Sequence, residues 1–200
     1  MRNAMPLPKK ILFVAFSLFL GHRTFVLMQH LMGADVGAVN WMETGVNAFV
    51  LTLYATGIFA FLGFAFKTSR LLPANYYRTQ HPQRLEMAYR ILGVRFFRQA
   101  LLLAYWGRKR NRTSYFDGTR AGLAHLVEQT RQSEFGHLAA LVFIGGLCIP
   151  LFRKGHWQLV AIATGINIVG NLYPIILQRK HRVRIEKITG HGSHSIPSSV

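Results

Sequence analysis

Two long stretches of the sequence contain no charged residue, and they constrain the fold more than any other feature. One is "NAFVLTLYATGIFAFLGFAF", residues 47–66, and the other is "WQLVAIATGINIVGNLYPIILQ", residues 157–178. A helix needs about 20 mostly apolar residues to cross the hydrocarbon core of a bilayer. Each stretch therefore predicts a transmembrane helix.

Two further apolar segments bring the predicted number of spans to about four. Residues 135–152 form a shorter run, and residues 11–32 form a run that a His-Arg pair interrupts. Two lysines precede the run at 11–32, as in a signal peptide, but no cleavage site of small residues follows it. We therefore expect an all-α, polytopic integral membrane protein with one membrane domain, 1–187, and a polar tail, 188–200, that is disordered.

The charged residues are mostly basic and unevenly distributed. The chain has 24 Lys and Arg against 7 Asp and Glu, and the loop 33–45 contains no Lys or Arg. Basic residues are concentrated instead in 67–131 and after residue 178. Because cytoplasmic loops carry the excess of Lys and Arg, both termini and 67–131 are predicted to be cytoplasmic. With such long apolar segments, this basic balance favours an anionic membrane face over nucleic acid as the partner.

The basic region 67–131 contains an amphipathic pattern. Arg84, Arg95 and Arg98 fall within a narrow arc when the stretch is drawn as one helix at 100° per residue. The pattern predicts a cytoplasmic helix that lies in the plane of the membrane interface. Its arginines would contact anionic lipid or the phosphate-rich head of an acyl-CoA donor.

An acid and a histidine stand at the start of the third predicted span. Glu134 and His137 are three residues apart, so they share a helix face. The fourth predicted span returns to the same side of the membrane and carries a polar stripe. Its members lie within about 60° of one another at 100° per residue: Asn167, Asn171, Gln178 and Arg182. Because polar groups in hydrocarbon need partners, the stripe is predicted to face the third span.

These groups indicate acyl transfer without a protein nucleophile. The chain lacks a G-x-S-x-G motif, and its single cysteine, Cys148, is expected near the far side of the membrane. A histidine without a nucleophile is typical of general-base catalysis on a substrate hydroxyl. His137 would take that proton, Glu134 would orient the ring, and asparagine amides or an arginine would stabilise the oxyanion.

At these residues the sequence resembles the glycosyl-4,4'-diaponeurosporenoate acyltransferases, small bacterial membrane enzymes that acylate the sugar of a glycosylated carotenoid. The resemblance lies in "QTRQSEFGHL", 129–138, and "NLYPIILQRKHRVRI", 171–185. The matching positions are Thr130, Arg131, Glu134, His137, Asn171, Pro174, Gln178, Arg179, Arg182 and Arg184.

The resemblance implies an O-acyltransferase of the bacterial inner membrane that acts on a glycosylated carotenoid or a related glycolipid. The acyl donor would be acyl-CoA or acyl-carrier protein, with no metal and no other cofactor. His137 and Glu134 are the expected catalytic residues. The expected substrate-binding residues are Asn171, Gln178, Arg179, Arg182, Arg184, Thr130 and Arg131.

Two other functions remain open at this point. A Glu-x-x-His pair on one helix is also half of a carboxylate-bridged di-iron site, which would indicate a metal-dependent lipid-modifying enzyme. Alternatively, the polar stripe could serve only to hydrogen-bond helices to one another. The protein would then be a lipid-binding or assembly subunit without catalytic activity.

Overall fold

The structure is a computed structural model that describes residues 5–35, 40–103 and 120–191. The described residues are almost entirely helical and contain no strand, which confirms the all-α class. The helices are α1 (Leu7–Gly33), α2 (Trp41–Ala65), α3 (Pro82–Ile91), α4 (Val94–Leu101), α5 (Arg120–Arg153), α6 (Trp157–Asn167) and α7 (Tyr173–His191). A π-helical turn, Ile168–Leu172, joins α6 to α7, and two short 3-10 turns, Thr68–Leu71 and Ala74–Tyr77, follow α2.

Within the described residues, four helical segments are long and apolar enough to cross a membrane, which confirms the predicted number of spans. They are Leu7–Gly33, Trp41–Ala65, Gly122–Arg153 and Trp157–Thr189. The helices extend beyond the predicted apolar spans, and α5 begins 14 residues before Glu134. Glu134 and His137 therefore lie inside a long helix rather than at its beginning. The last helix continues to His191, into the segment predicted to be disordered, and 192–200 lie outside the described residues.

Contacts within the chain divide it into two compact units. The first unit comprises Met1–Thr68 and Phe135–Pro174, and the second comprises Ser69–Glu134 and Ile175–Val200. In the first unit, small and branched residues of α2, α5 and α6 form a core in which Ala55, Ala140 and Ala163 are fully buried. Most of the large apolar residues of α1 are exposed, as expected for a helix that faces lipid.

The amphipathic stretch in the second unit is two short helices rather than the single helix that its arginine arc predicts. The chain breaks between α3 and α4 at Gly93, whose φ of 65° lies in the left-handed region. Glycine adopts this conformation without the steric penalty of a side chain, so the break has a local cause. Arg84 lies on α3, while Arg95 and Arg98 lie on α4. Residues 104–112 of the predicted helix lie outside the described residues.

Candidate active-site residues

The His137 side chain is hydrogen-bonded to a chain of buried amides in the first unit. His137 Nδ1 lies 3.0 Å from Oδ1 of Asn171, which is fully buried. The Nδ2 atom of Asn171 donates to Asn167 Oδ1 at 2.9 Å and to Thr56 Oγ1 at 3.0 Å. Asn171 therefore uses both of its N–H bonds inside the protein.

A backbone carbonyl fixes the direction of every bond in this chain. Asn167 Nδ2 donates to the carbonyl oxygen of Leu141 at 3.1 Å, and a carbonyl oxygen can only accept. Asn167 Oδ1 is therefore the acceptor for Asn171 Nδ2, which leaves Asn171 Oδ1 to accept from His137 Nδ1. The network therefore assigns the proton of the neutral imidazole to Nδ1, which leaves the lone pair on Nε2. An imidazole in this form can act as a base through Nε2.

The π-helical turn places Asn171 and a second acceptor at the His137 ring. Such turns are rare and occur frequently at functional sites. The carbonyl of Gly170, inside this turn, is also a hydrogen-bond partner of the His137 ring. Pro174 lies four residues later and has no N–H to donate to that carbonyl. The local sequence thus presents two acceptors, Asn171 Oδ1 and the Gly170 carbonyl, to the same ring.

Glu134 belongs to a cluster of arginines in the second unit. Its side chain is 0% exposed, and its Oε1 accepts a hydrogen bond from Arg179 Nε at 2.7 Å. Its Oε2 accepts from Nη2 of Arg182, which is 2% exposed. Both carboxylate oxygens are therefore bonded to guanidinium groups. The His137 ring, which Glu134 was expected to orient, has Asn171 as its hydrogen-bond partner at Nδ1.

Two adjacent tyrosines complete this cluster, and neither was predicted from the sequence. Arg179 Cζ lies 4.9 Å from the ring centroid of Tyr76. Arg131 Cζ and Arg182 Cζ each lie 5.7 Å from the ring centroid of Tyr77. Burial, together with the nearby Glu134 carboxylate, raises the pKa of Tyr77 to about 12. The only local signal was that the Tyr-Tyr pair directly follows Pro73-Ala74-Asn75, a sequence typical of a turn. A 3-10 turn forms there, over Ala74–Tyr77.

The remaining predicted substrate-binding residues differ in their surroundings. The Thr130 hydroxyl is fully buried and donates to the Val127 carbonyl of its own helix at 2.7 Å. Gln178 Nε2 donates to Ser133 Oγ at 3.3 Å, whereas Arg184 is exposed on α7. Asn171 and Gln178 both bond residues of α5, which is the direction that the polar stripe predicts. Within the described ranges, no three His, Cys, Asp or Glu side chains form a group that could hold a metal ion.

One protein-family model matches the chain over residues 73–191, more than half of its 200 residues. It describes glycosyl-4,4'-diaponeurosporenoate acyltransferase. The match begins just before Tyr76 and Tyr77 and ends with α7, so it includes His137, Asn171 and the arginine cluster around Glu134. No curated protein and no solved structure matches the chain.

Proposed function

We propose that this chain, which belongs to the glycosyl-4,4'-diaponeurosporenoate acyltransferase family, transfers a fatty acyl group to a sugar hydroxyl of a glycosylated carotenoid or a related glycolipid. The family establishes the enzyme class as acyltransferase. The four apolar helices described in this chain fit a lipidic acceptor and a fatty acyl donor. The single observation that supports His137 as the base is its hydrogen bond to Asn171, which assigns the ring proton to Nδ1 and so puts the basic lone pair on Nε2.

In the proposed reaction, His137 acts as a general base toward the acceptor. Its Nε2 takes the proton of the sugar hydroxyl as the hydroxyl oxygen attacks the acyl carbonyl carbon of a thioester donor. The new ester bond forms, the carbon–sulfur bond of the donor breaks, and the imidazolium returns the proton to the leaving thiolate. The thioester is carried by coenzyme A or by an acyl-carrier protein. Imidazole suits both proton transfers because its unperturbed pKa lies close to neutral pH.

We assign Asn171 as a positioning residue rather than a substrate-binding residue. Both of its N–H bonds are occupied by Asn167 and Thr56, and its oxygen holds His137 Nδ1. No donor of this amide remains to stabilise an oxyanion, so that role falls to another donor. The amide instead fixes the ring orientation and the tautomer, as hydrogen-bond partners of catalytic imidazoles do.

Lipid and pigment profiling tests the reaction class directly. Cells that express the chain together with the enzymes for a glycosylated carotenoid should contain a fatty acyl ester of that glycoside, detected by mass spectrometry. Purified chain in liposomes should form the same ester from acyl-CoA or from acyl-carrier protein. If the glycoside binds to the purified chain but is never acylated with either donor, the non-catalytic lipid-binding function is favoured instead.

Asn171→Ala should lower kcat about 10-fold or more and leave KM for both substrates nearly unchanged. The variant removes the acceptor of His137 Nδ1–H but does not touch the substrates, and imidazole orientation is a component of general-base catalysis worth about 10²–10⁴-fold in all. The matched control is Thr56→Val, which removes one of the two acceptors of the Asn171 amide and should have a smaller effect. A rise in KM with unchanged kcat would show instead that Asn171 binds substrate.

We propose that the chain lies in a bacterial inner membrane. The asymmetry of Lys and Arg favours an orientation with both termini and 67–131 on the cytoplasmic side. Gly33→Cys and Gln83→Cys, each in a Cys148→Ala background, provide one position on each expected side. An impermeant maleimide added to intact spheroplasts should label position 33 and should label position 83 only after lysis. Labelling of position 83 alone in intact spheroplasts would reverse the proposed orientation.

A further inference from the structure

Among the residues of the second unit that the structure describes, four buried hydrogen-bond donor atoms have no partner, and they belong to three neighbouring side chains. They are Nε and Nη1 of Arg182, Nε of Arg131 and the hydroxyl of Tyr77. The Cζ atoms of the two arginines each lie 5.7 Å from the Tyr77 ring centroid, so they are no further apart than twice that distance. We call these three side chains the donor cluster.

Donors of this kind are expected to have a partner when the protein works. Buried polar groups in folded proteins almost always form a hydrogen bond, and an unpaired donor is more costly when its group is charged. Arg182 and Tyr77 are 2% and 3% exposed, so bulk solvent does not satisfy them. Arg131 is only half-buried, so the donor cluster reaches the surface of the unit at Arg131.

The surrounding charges favour an anion as that partner. Three arginines, Arg131, Arg179 and Arg182, lie against the two tyrosine rings. Among the described residues, the acidic groups of the same region are Glu134, which is bonded to two of these arginines, and Glu128, which accepts a hydrogen bond from a serine hydroxyl. Three positive charges against two negative charges leave one positive charge in excess.

Tyr77 contributes a neutral donor to this region at any physiological pH. Burial and the Glu134 carboxylate raise the pKa of its hydroxyl to about 12, so the phenol keeps its proton. A hydroxyl that stays protonated can donate to an anion but cannot compete with it by becoming a phenolate.

We infer that the donor cluster binds a phosphate group, which in the proposed acyl transfer would be carried by the acyl donor. This inference rests on the proposed function for the identity of the ligand. A phosphate presents more acceptor oxygens than a carboxylate and carries up to two negative charges, which suits four donor atoms on three side chains. Guanidinium groups bind phosphate through rigid, often bidentate hydrogen bonds. An anionic phospholipid headgroup offers the same chemistry.

Binding measurements on the purified full-length chain in maltoside micelles test the donor cluster without any turnover. Coenzyme A, pantetheine, which lacks every phosphate of coenzyme A, and inorganic phosphate are compared by calorimetry. Mixed micelles with and without phosphatidylglycerol test whether a lipid is the source of the phosphate.

We expect coenzyme A to bind and pantetheine not to bind. Tyr77→Phe, which removes only an unpartnered hydroxyl, should melt like the unaltered chain and weaken coenzyme A binding about 10–100-fold, the range for one hydrogen bond to a charged group.

Two further variants and the phosphatidylglycerol measurement show whether phosphate binding depends on the donor cluster and which molecule carries the phosphate. Tyr89→Phe is the matched control, because Tyr89 lies in the same unit, contacts Lys180 through its ring face and is not part of the donor cluster. Arg131→Gln should weaken coenzyme A binding like Tyr77→Phe, since Arg131 Nε has no partner to lose. If coenzyme A does not bind but phosphatidylglycerol binds in a Tyr77-dependent manner, the phosphate site stands with a lipid as its source.

The inference is overturned if no phosphate ligand binds, or if Tyr77→Phe binds each of them as tightly as the Tyr89→Phe control. Failure of phosphate binding and failure of acyl transfer can be distinguished, because they are measured separately. A chain that binds coenzyme A through Tyr77 but acylates no acceptor keeps the donor cluster and rejects the proposed function. If the unaltered chain transfers acyl groups but Tyr77→Phe binds coenzyme A and phosphatidylglycerol as tightly as the Tyr89→Phe control, the donor cluster alone is rejected.

Discussion

His137→Gln should lower acyl-transfer turnover by about 10²–10⁴-fold, the usual contribution of general acid–base catalysis. Glutamine can still donate a hydrogen bond to Asn171 Oδ1, so the buried amides of Asn171 and Asn167 keep their partners. It cannot accept and return a proton at neutral pH. The loss should therefore appear in kcat, while membrane insertion and the melting temperature stay close to those of the unaltered chain. Steady-state transfer assays in liposomes, with thermal melting of the same preparations, make this comparison.

His30→Gln provides the control for a histidine substitution in an apolar helix. His30 is exposed on α1 and lies outside the residues that the family model matches, so its replacement should leave turnover unchanged. The variants also separate two roles of His137. If His137→Gln retains full turnover, or if it loses activity only in proportion to lost folded protein, the imidazole is a structural partner of Asn171 and another group is the base.

The four spans could be predicted from the sequence because their physical cause is local. Backbone polar groups have no water to bind in hydrocarbon, so an apolar stretch of sufficient length must form a helix there. Uncharged runs such as 47–66 and 157–178 satisfy this condition without reference to the rest of the chain. The same argument says little about where a helix stops, because a helix can continue outside the hydrocarbon region. This is why α5 begins at Arg120 rather than near 135.

The break at Gly93 shows the limit of periodicity as a signal. Arg84, Arg95 and Arg98 share an arc only if one helix runs through all of them, and a glycine in a helical pattern is compatible with either a continuous helix or a helix end. The left-handed backbone at Gly93 decides in favour of two helices. Sequence periodicity indicated the amphipathic character of this region but could not show that α3 ends before Gly93 and α4 begins after it.

The partners of the polar residues could be predicted only in part. The stripe angle correctly directed Asn171 and Gln178 toward α5. The spacing of Glu134 and His137 favoured a bond between them, but the carboxylate is bonded instead to Arg179 and Arg182. A charge-assisted bond to a guanidinium is stronger than one to a neutral imidazole. Which of these competing donors reaches the carboxylate depends on helix packing, and that is not contained in the spacing of residues on one helix.

Glu134→Ala should destabilise the protein by about 3–5 kcal/mol, the usual effect of removing one partner of a buried ion pair. Glu134 is 0% exposed and Arg182 is 2% exposed, so the substitution leaves a guanidinium buried without its counter-charge. For a chain of 150–250 residues this corresponds to a lower Tm by about 6–20 °C. Arg179 is 31% exposed and can turn its charge toward water, so it contributes less to the loss.

The pair of Glu86 and Lys180 offers a matched control in the same unit. Their charged atoms are as close as 2.9 Å, but the side chains are 51% and 35% exposed, and exposed pairs are worth about 0–1 kcal/mol. Glu86→Ala should therefore shift Tm by only a few degrees, by the same conversion of about 2–4 °C per kcal/mol. Equal shifts for Glu86→Ala and Glu134→Ala would mean that burial does not set the strength of the Glu134 pair.

A double substitution identifies the cause of the loss. Glu134→Leu with Arg182→Met replaces both buried charges by apolar side chains, and such replacements are often neutral or stabilising. The double variant should therefore recover most of the stability that Glu134→Ala loses, as measured by Tm in the same detergent. It should bind phosphate more weakly than the unaltered chain, since Arg182 supplies two of the four donors of the donor cluster. If the double variant is as unstable as Glu134→Ala, the loss comes from packing at position 134 and not from the uncompensated charge of Arg182.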